Sequence, residues 1–257
     1  SKDVIFKSIL ILSLFFISIF ETTNDIKFDV NERLQDFDYG SPNIAANGID
    51  ELVFSDDFSD LNYDGWTVKE GNWTVDNGYL RSRGWVQPDP VYGVVGYTAE
   101  ILKDLGSPLP FNNLSLDFDY RYETPFFNGT RGQEFTIRFY INDSSYFSLM
   151  IFEDGAYGGR GNLRLYYVEG AVNGELADSL FTPDDQWHPV NITIIDNIIT
   201  VLYDGLTQID QVMVPGFANR TFSAISVYLS GWDEVFDMEN YRNIDNITLK
   251  SSRYIQQ

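Results

Sequence analysis

The chain has 257 residues, of which 44% are hydrophobic and 16% aromatic, and it contains no cysteine. This composition is that of a globular protein rather than a disordered one, and it excludes a thiol nucleophile. The formal net charge of -21 excludes nucleic acids and anionic lipid headgroups as favourable partners, because like charges repel, and it favours cations.

The N-terminal residues predict an export segment. Lys2 and Lys7 precede an apolar run over 9–20, which is short for a membrane span but fits the apolar core of a secretory signal. We expect residues 1–20 to form a hydrophobic helix that serves as a signal peptide or as a short anchor, the chain's only membrane contact. Residues 21–50 are polar and irregular, and predict a spacer. The protein is therefore expected to be secreted or held at the cell surface.

Beyond this spacer the sequence predicts short strands and tight turns. Asn77-Gly78 supplies the positive φ angles that a two-residue hairpin turn requires. Residues 114–122 alternate strictly between apolar and polar side chains, as in a strand with one buried face. Further strands are predicted at 135–141, 146–152, 163–168, 224–229 and 244–250.

Residues 187–205, WHPVNITIIDNIITVLYDG, predict a β-hairpin followed by a second tight turn. Apolar residues alternate on both sides of Asp196-Asn197, and Asp204-Gly205 ends the segment. This hairpin resembles the one found in laminin G-like domains of the concanavalin A-like lectin/glucanase superfamily. The segment 241–249, YRNIDNITL, resembles the closing strand of the same superfamily.

The entry to the domain carries the same resemblance. A Phe-Asp-Asp-Phe motif at 54–58, with Ser55 inside it, is followed by Gly-Trp, by Gly-Asn-Trp and by the Asp-Asn-Gly turn. The resemblance covers residues 51–250 and implies an all-β fold, a concanavalin A-like β-sandwich (jelly roll) of two antiparallel sheets. Residues 251–257 would form a tail.

Catalytic residues of this superfamily are not evident in the sequence. Its glycosidases carry paired carboxylates on one strand, and no such run occurs here. Asp117 and Asp119 share a strand face but are followed by Arg121, and the acids of 233–239 precede the last strand. The one histidine, His188, follows Trp187. The resemblance to the superfamily hairpin implies a structural role for it.

The resemblance therefore implies a non-catalytic carbohydrate-binding or adhesion module whose partner is a glycan or a cell-surface polysaccharide. Two alternatives stay open. One is a glycoside hydrolase or lyase whose acids are not recognised. The other is a structural subunit of a surface layer or filament, which would self-associate through an edge strand or an N-terminal tail.

Candidate ligand-binding residues come from two strands that carry an arginine and a tyrosine two positions apart, on the face opposite the apolar residues. Sugars are recognised by aromatic stacking and by planar hydrogen-bonding groups, and these pairs supply both. Two tryptophans in predicted loops would extend the surface. The predicted ligand-binding residues are Arg138, Tyr140, Arg164, Tyr166, Trp85 and Trp232.

A structural calcium ion is a further hypothesis. Asp56, Asp57 and Asp60 near the start of the domain would meet Asp245 near its end if the terminal strands are neighbours. Calcium binds six to eight oxygen ligands, which carboxylates supply. The alternative is that these aspartates end strands and face water.

Seven Asn-x-Ser/Thr sequons predict a glycoprotein. Chance would give roughly two or three, although such triplets are also common at solvent-facing strand edges. The sequon asparagines are Asn72, Asn113, Asn128, Asn142, Asn191, Asn219 and Asn246.

Overall fold

The computed structural model describes residues 51–82, 85–88, 95–122, 133–154, 160–182, 184–214, 220–233 and 241–252. All of them belong to Ala46–Gln257, the second of two units into which the chain divides. The predicted helix, the predicted spacer and most of the predicted tail lie outside the described residues. Within the described ranges, no helix is long and apolar enough to cross a membrane.

The described backbone forms two sheets of eight strands, and every strand pairing is antiparallel. The all-β sandwich expected from the sequence is confirmed. Sheet A contains β1 (Glu51–Asp56), β3 (Trp73–Asp76), β4 (Tyr79–Ser82), β7 (Leu114–Tyr122), β12 (His188–Ile195), β13 (Ile198–Tyr203), β14 (Leu206–Met213) and β16 (Arg242–Ser251). Sheet B contains β2 (Trp66–Glu70), β5 (Trp85–Pro88), β6 (Val95–Pro110), β8 (Gln133–Asn142), β9 (Ser145–Asp154), β10 (Arg160–Glu169), β11 (Val172–Phe181) and β15 (Thr221–Asp233).

The strand order brings both ends of the domain together. Sheet A runs β14-β13-β12-β7-β16-β4-β3, and β1 also pairs with β16. The first and last strands are therefore neighbours, which is the arrangement that the calcium hypothesis requires. Sheet B runs β11-β10-β9-β8-β15-β6-β2, with β5 also pairing with β6.

The core lies between the two inner faces. Strand β7 shows the predicted alternation, since its five apolar and aromatic side chains are at most 2% exposed. Its counterpart β8 turns its alternate residues Phe135, Ile137 and Phe139 into the same core. Burial of these rows is the main favourable term for folding, and it leaves the residues between them on the outer faces.

The predicted turns have the expected backbone. Asp196 and Asn197 have φ angles of 51° and 65°, and Asp204 has 53°. Aspartate and asparagine tolerate this left-handed region better than bulky residues do. The β12–β13 hairpin and the Asn77-Gly78 turn between β3 and β4 are thereby confirmed.

Some strands were not predicted, and two residues were placed wrongly. Strands β6, β11 and β14 escaped the sequence pattern because β6 contains Gly106 and Pro108, and the other two are sheet edges without clear alternation. Trp85 and Trp232 were expected in loops, which is wrong for the backbone. Both lie in strands, because each pairs with β6 at Thr98 and Gly96 respectively.

Candidate functional site

The outer face of sheet B, directed away from the core, carries the first predicted arginine-tyrosine pair. Because β8 turns Ile137 and Phe139 inward, Arg138 and Tyr140 project outward. They meet Glu100 from β6, two strands away. We call Glu100, Arg138, Tyr140 and the neighbouring Tyr146 and Tyr228 the sheet B cluster.

Glu100 is the polar centre of this cluster. The Tyr140 hydroxyl donates to Glu100 Oε1 at 2.7 Å, and the Ser226 hydroxyl donates to the same oxygen at 2.7 Å. Arg138 Nη1 lies 3.7 Å from that oxygen and 3.4 Å from the Tyr140 hydroxyl, to which it donates. Carboxylate, phenol and guanidinium therefore hold one another in fixed positions.

Arg138 also lies against two tyrosine rings. Its guanidinium carbon is 3.4 Å from the ring centroid of Tyr228 and 4.9 Å from that of Tyr146. The rings of Tyr140 and Tyr146 are 5.5 Å apart. With a side chain only 14% exposed, Arg138 serves mainly to position these rings.

Burial and charge fix the protonation of the cluster. Burial raises the pKa of Tyr140, and its hydrogen bond to Glu100 adds to that rise. Burial also raises the pKa of Tyr228. For Arg138, burial acts to lower the pKa, but the hydrogen bond to Tyr140 and the nearby Tyr146, Tyr140 and Glu100 together raise it. The phenols are thus neutral and the guanidinium charged at neutral pH.

Small hydroxyl residues lie beneath these large side chains. Ser226, Thr136 and Ser148 are at most 2% exposed although they belong to the outer face. The Thr136 hydroxyl donates to Glu134 Oε1 at 2.6 Å, and the Ser230 hydroxyl donates to Glu134 Oε2 at 2.9 Å. The outer face is therefore a hydrogen-bonded layer covered by rings and one guanidinium.

An open groove of about 500 Å³ adjoins the cluster. Glu100 and Tyr140 belong to both, and the groove extends over Ala224 to Asp104 on β6. Volumes of this size are typical of small-ligand sites. The remaining lining residues are Lys69, Leu102, Asn142, Asp143 and Ser223.

The second predicted pair lies on the same face, nearer to the β11 edge. Arg164 Nε is 3.7 Å from Glu175 Oε2, and the Tyr166 hydroxyl donates to Asn173 Oδ1 at 3.1 Å. Tyr166 shares a row with Arg138 across one intervening strand, which places their backbones about 10 Å apart. For Trp85 and Trp232 the structure describes the backbone alone.

Of the predicted calcium ligands, Asp56 and Asp57 lie near Asp245 where β1 meets β16. Burial raises the pKa of Asp245, and a hydrogen bond from the Asn246 backbone N–H partly offsets this rise. The nearby carboxylates of Asp119, Asp57 and Asp56 raise the pKa further. The pKa of exposed Asp57 is lowered, chiefly by the backbone N–H and hydroxyl of Ser59.

As placed, these carboxylates do not form a ligand set. Asp56 accepts from the Phe58 backbone N–H and from the Trp66 indole, at 3.1 Å and 2.8 Å. Asp60 accepts from the backbone N–H of Asn62. In the described part of the chain, no three His, Asp or Glu side chains are grouped to hold a metal ion. Calcium binding stays a prediction.

The described sequons differ in their surroundings. Asn72 and Asn142 are exposed; Asn72 directly precedes β3, and Asn142 is the last residue of β8. Asn113 precedes β7 with a φ of 50°. The Asn191 amide donates to Asp117 Oδ1 at 2.7 Å, and the Asn246 amide donates to Asp119 Oδ2 at 2.8 Å. The sequons at Asn128 and Asn219 lie outside the described residues.

The outer face of sheet A carries an aromatic cluster that the sequence did not suggest. Trp187 and Tyr79 have ring centroids 5.4 Å apart, and the Arg121 guanidinium lies 4.8 Å and 5.4 Å from them. We call these three residues the sheet A cluster. Asp117 and Asp119 lie on β7 with Arg121, on the sheet that does not carry the groove.

His188 has the structural role that the sequence predicted. It is 5% exposed and stacks on Tyr203, with ring centroids 4.9 Å apart. Its Nδ1 lies 3.0 Å from Asp204 Oδ2 and its Nε2 lies 2.9 Å from Asp184 Oδ1. The imidazole therefore ties the segment before β12 to the turn after β13.

No protein-family model and no curated protein matches the sequence. Solved structures nevertheless share the fold. The CBM2 module of the evolved Dit of Lactobacillus casei BL23 phage J-1 is 14% identical, with 79% of this chain and 96% of that chain covered and a TM-score of 0.57. The laminarinase catalytic domain of Thermotoga maritima is 13% identical, with 79% of this chain and 98% of that domain covered and a TM-score of 0.57. The chain has the concanavalin A-like jelly-roll fold. The carbohydrate recognition domain of Emp47p is similar as well, at 13% identity, with 79% and 97% covered and a TM-score of 0.55.

Sequence reasoning found Arg138 and Tyr140 but missed their partner. Glu100 lies in β6, which was not recognised as a strand, and it is 126 residues from Ser226. Tyr228 alternates with buried Val227 and Leu229 in a predicted strand, so its outward position was available as a signal.

Proposed function

We propose that this protein is an exported, non-catalytic carbohydrate-binding module, and that its binding surface is the sheet B cluster with the adjoining groove. The observation that carries the proposal is the fixed set of Tyr140, Tyr146 and Glu100 beside an open groove of about 500 Å³. Aromatic rings stack on sugar faces, and a carboxylate accepts from sugar hydroxyls.

The rigidity of the surface supports this role. Arg138 holds two rings, and Glu100 is held by two hydroxyl donors, so little side-chain entropy is lost when a ligand binds. The shared fold is consistent with the proposal, since the neighbours include a carbohydrate recognition domain. They include a laminarinase as well, so the fold alone does not choose between binding and catalysis.

The hydrogen bonding of the carboxylates favours binding over hydrolysis. Glu100 and Glu134 project from the same face on either side of β15. Glu100 accepts from Ser226, and Glu134 accepts from Thr136 and Ser230. Both carboxylates are therefore held by hydroxyls of their own sheet, whereas a glycosidase directs its two carboxyl groups at one glycosidic bond.

The test is a polysaccharide and glycan array probed with the purified full-length chain, with the same panel assayed for released reducing ends. We expect binding without release, with and without calcium. Release that is lost in both Glu100→Gln and Glu134→Gln would support the hydrolase alternative. An absence of binding across the panel would contradict the proposal and favour a structural surface role.

A further inference from the structure

The charge and shape of the groove identify the class of glycan that would bind in it, an inference that rests on the proposed function. The sheet B register defines the groove floor. Asp104 on β6 pairs with Ala224 on β15, and Ala224 pairs with Tyr140 on β8. Across the small alanine side chain, the aspartate and tyrosine backbones are about 10 Å apart, which is two strand spacings.

The two walls of the groove, on either side of Ala224, differ in chemistry. Tyr140 supplies an aromatic wall, and its hydroxyl is already directed to Glu100. Asp104 supplies a carboxylate wall and is exposed. Asp143, which is also exposed, lies in the turn between β8 and β9 and adds a second carboxylate to the lining.

The charges of the lining do not cancel. Three carboxylates, those of Glu100, Asp104 and Asp143, are opposed by one lysine, Lys69. Arg138 stands 3.7 Å from Glu100 and compensates that carboxylate. One excess negative charge is left, beside an aromatic ring, in a protein whose net charge is -21. An anionic sugar would be repelled here.

An ammonium group fits both walls. A cation is attracted to the face of a tyrosine ring and forms charge-assisted hydrogen bonds with carboxylates. We propose that the groove selects glycans that carry free amino groups, and that Asp104 and Asp143 are the residues that determine this selectivity. Uronic acid and sulfated polysaccharides are rejected by the same carboxylates.

The test uses two oligosaccharides that differ only in N-acetylation. Fully deacetylated and fully acetylated chito-oligosaccharides of equal length are titrated against the full-length chain at mildly acidic pH, where the amine is protonated and most aspartates are ionised. We expect the deacetylated oligomer to bind about tenfold more tightly, with a preference that falls as salt is added.

Two double variants separate the groove from the overall charge. Asp104→Asn with Asp143→Ser should reduce the preference to about twofold or less, because affinity for the deacetylated oligomer falls more than affinity for the acetylated one. Asp185→Asn with Asp210→Asn removes the same formal charge from exposed positions outside the groove lining and should keep the preference.

Three results would overturn the inference while leaving the proposed function in place. They are equal affinity for both oligomers, a preference that survives in the groove variant, and failure to bind the deacetylated oligomer when neutral glycans bind. Absence of binding to every glycan would instead overturn the proposed function.

Discussion

The two outer faces of the sandwich carry similar residues in different settings. Arg138 on sheet B and Arg121 on sheet A each lie against two aromatic rings. The sheet B cluster adjoins the groove, and its Tyr140 donates to Glu100. Among the described residues, no carboxylate accepts a hydrogen bond from Tyr79 of the sheet A cluster. An arginine-aromatic pair is therefore insufficient to define a site, and the assignment to sheet B rests on the groove and on the fixed carboxylate.

N-glycosylation would affect both faces. Asn191 and Asn246 lie on sheet A, where their amides are hydrogen-bonded to Asp117 and Asp119. On sheet B, Asn142 belongs to the lining of the groove. If these sequons are used, glycans on Asn191 and Asn246 would cover part of sheet A, whereas a glycan on Asn142 would compete with a ligand for the groove.

The largest expected effect is the loss of glycan affinity when an aromatic ring is removed from sheet B, compared with the removal of one from sheet A. Tyr140→Ala should weaken binding of the best array glycan at least about tenfold, because stacking and the orientation of Glu100 are both lost. The matched variant Tyr79→Ala removes a half-buried tyrosine from sheet A and should change affinity less than about twofold. Calorimetric titration measures both, and equal losses in the two variants would contradict the comparison.

A smaller effect, on stability, is expected from sheet A. Asn191→Ala removes the donor to Asp117 and Ser115, so the free energy of unfolding should fall by about 1 kcal/mol and Tm by about 2–4 °C. Glycan affinity should stay unchanged. Exposed Asn72→Ala is the control, with both variants produced in a host that lacks N-glycosylation. A loss of glycan affinity in Asn191→Ala would indicate that the glycan binds to sheet A, which would contradict the assignment to sheet B.

The hydroxyl of Tyr140 should contribute less than its ring. Tyr140→Phe keeps the stacking surface and leaves Glu100 with the Ser226 donor. We expect an affinity loss of about threefold, less than one hydrogen bond's typical worth of about 1 kcal/mol. If Tyr140→Phe binds as weakly as Tyr140→Ala in the same titration, the ring has no stacking role.

The smallest effect concerns the carboxylates at the β1–β16 junction. Because the pKa of Asp245 is raised in the fold, its stabilising contribution is present below its ordinary value of 3.8 and is lost as pH rises through the raised pKa. Asp245→Asn should therefore raise Tm by about 1–3 °C at neutral pH. The gain should shrink as pH falls through the raised pKa and be lost below the ordinary value of 3.8.

The same variant tests the calcium prediction. Thermal melts from pH 3 to 7, with Asp185→Asn as control, measure the pH dependence of Tm. A Tm difference between wild type and Asp245→Asn that does not change with pH would contradict the raised pKa of Asp245. A wild-type Tm that rises with calcium and falls with chelator, while that of Asp245→Asn does neither, would support a bound calcium ion.

Local patterns predicted the elements that local physics determines. The alternation of β7 and the Asp196-Asn197 and Asn77-Gly78 turns are encoded within a few residues. Strand β6 was missed because its glycines and prolines suggest turns, and its strand character depends on pairing with β15 more than 100 residues away. The same reason explains why only part of the candidate site could be predicted from the sequence. Arg138 and Tyr140 are two residues apart, whereas Glu100 reaches them only through the order of the folded sheet.

The most direct test of the central claim is to map the bound glycan onto the two faces. Amide chemical shifts of the labelled full-length chain are recorded with and without the best array glycan. We predict that the perturbed amides belong to β6, β8 and β15, around Glu100, Tyr140 and Ala224. Perturbations confined to β7, β12 and β16 on sheet A would contradict the account.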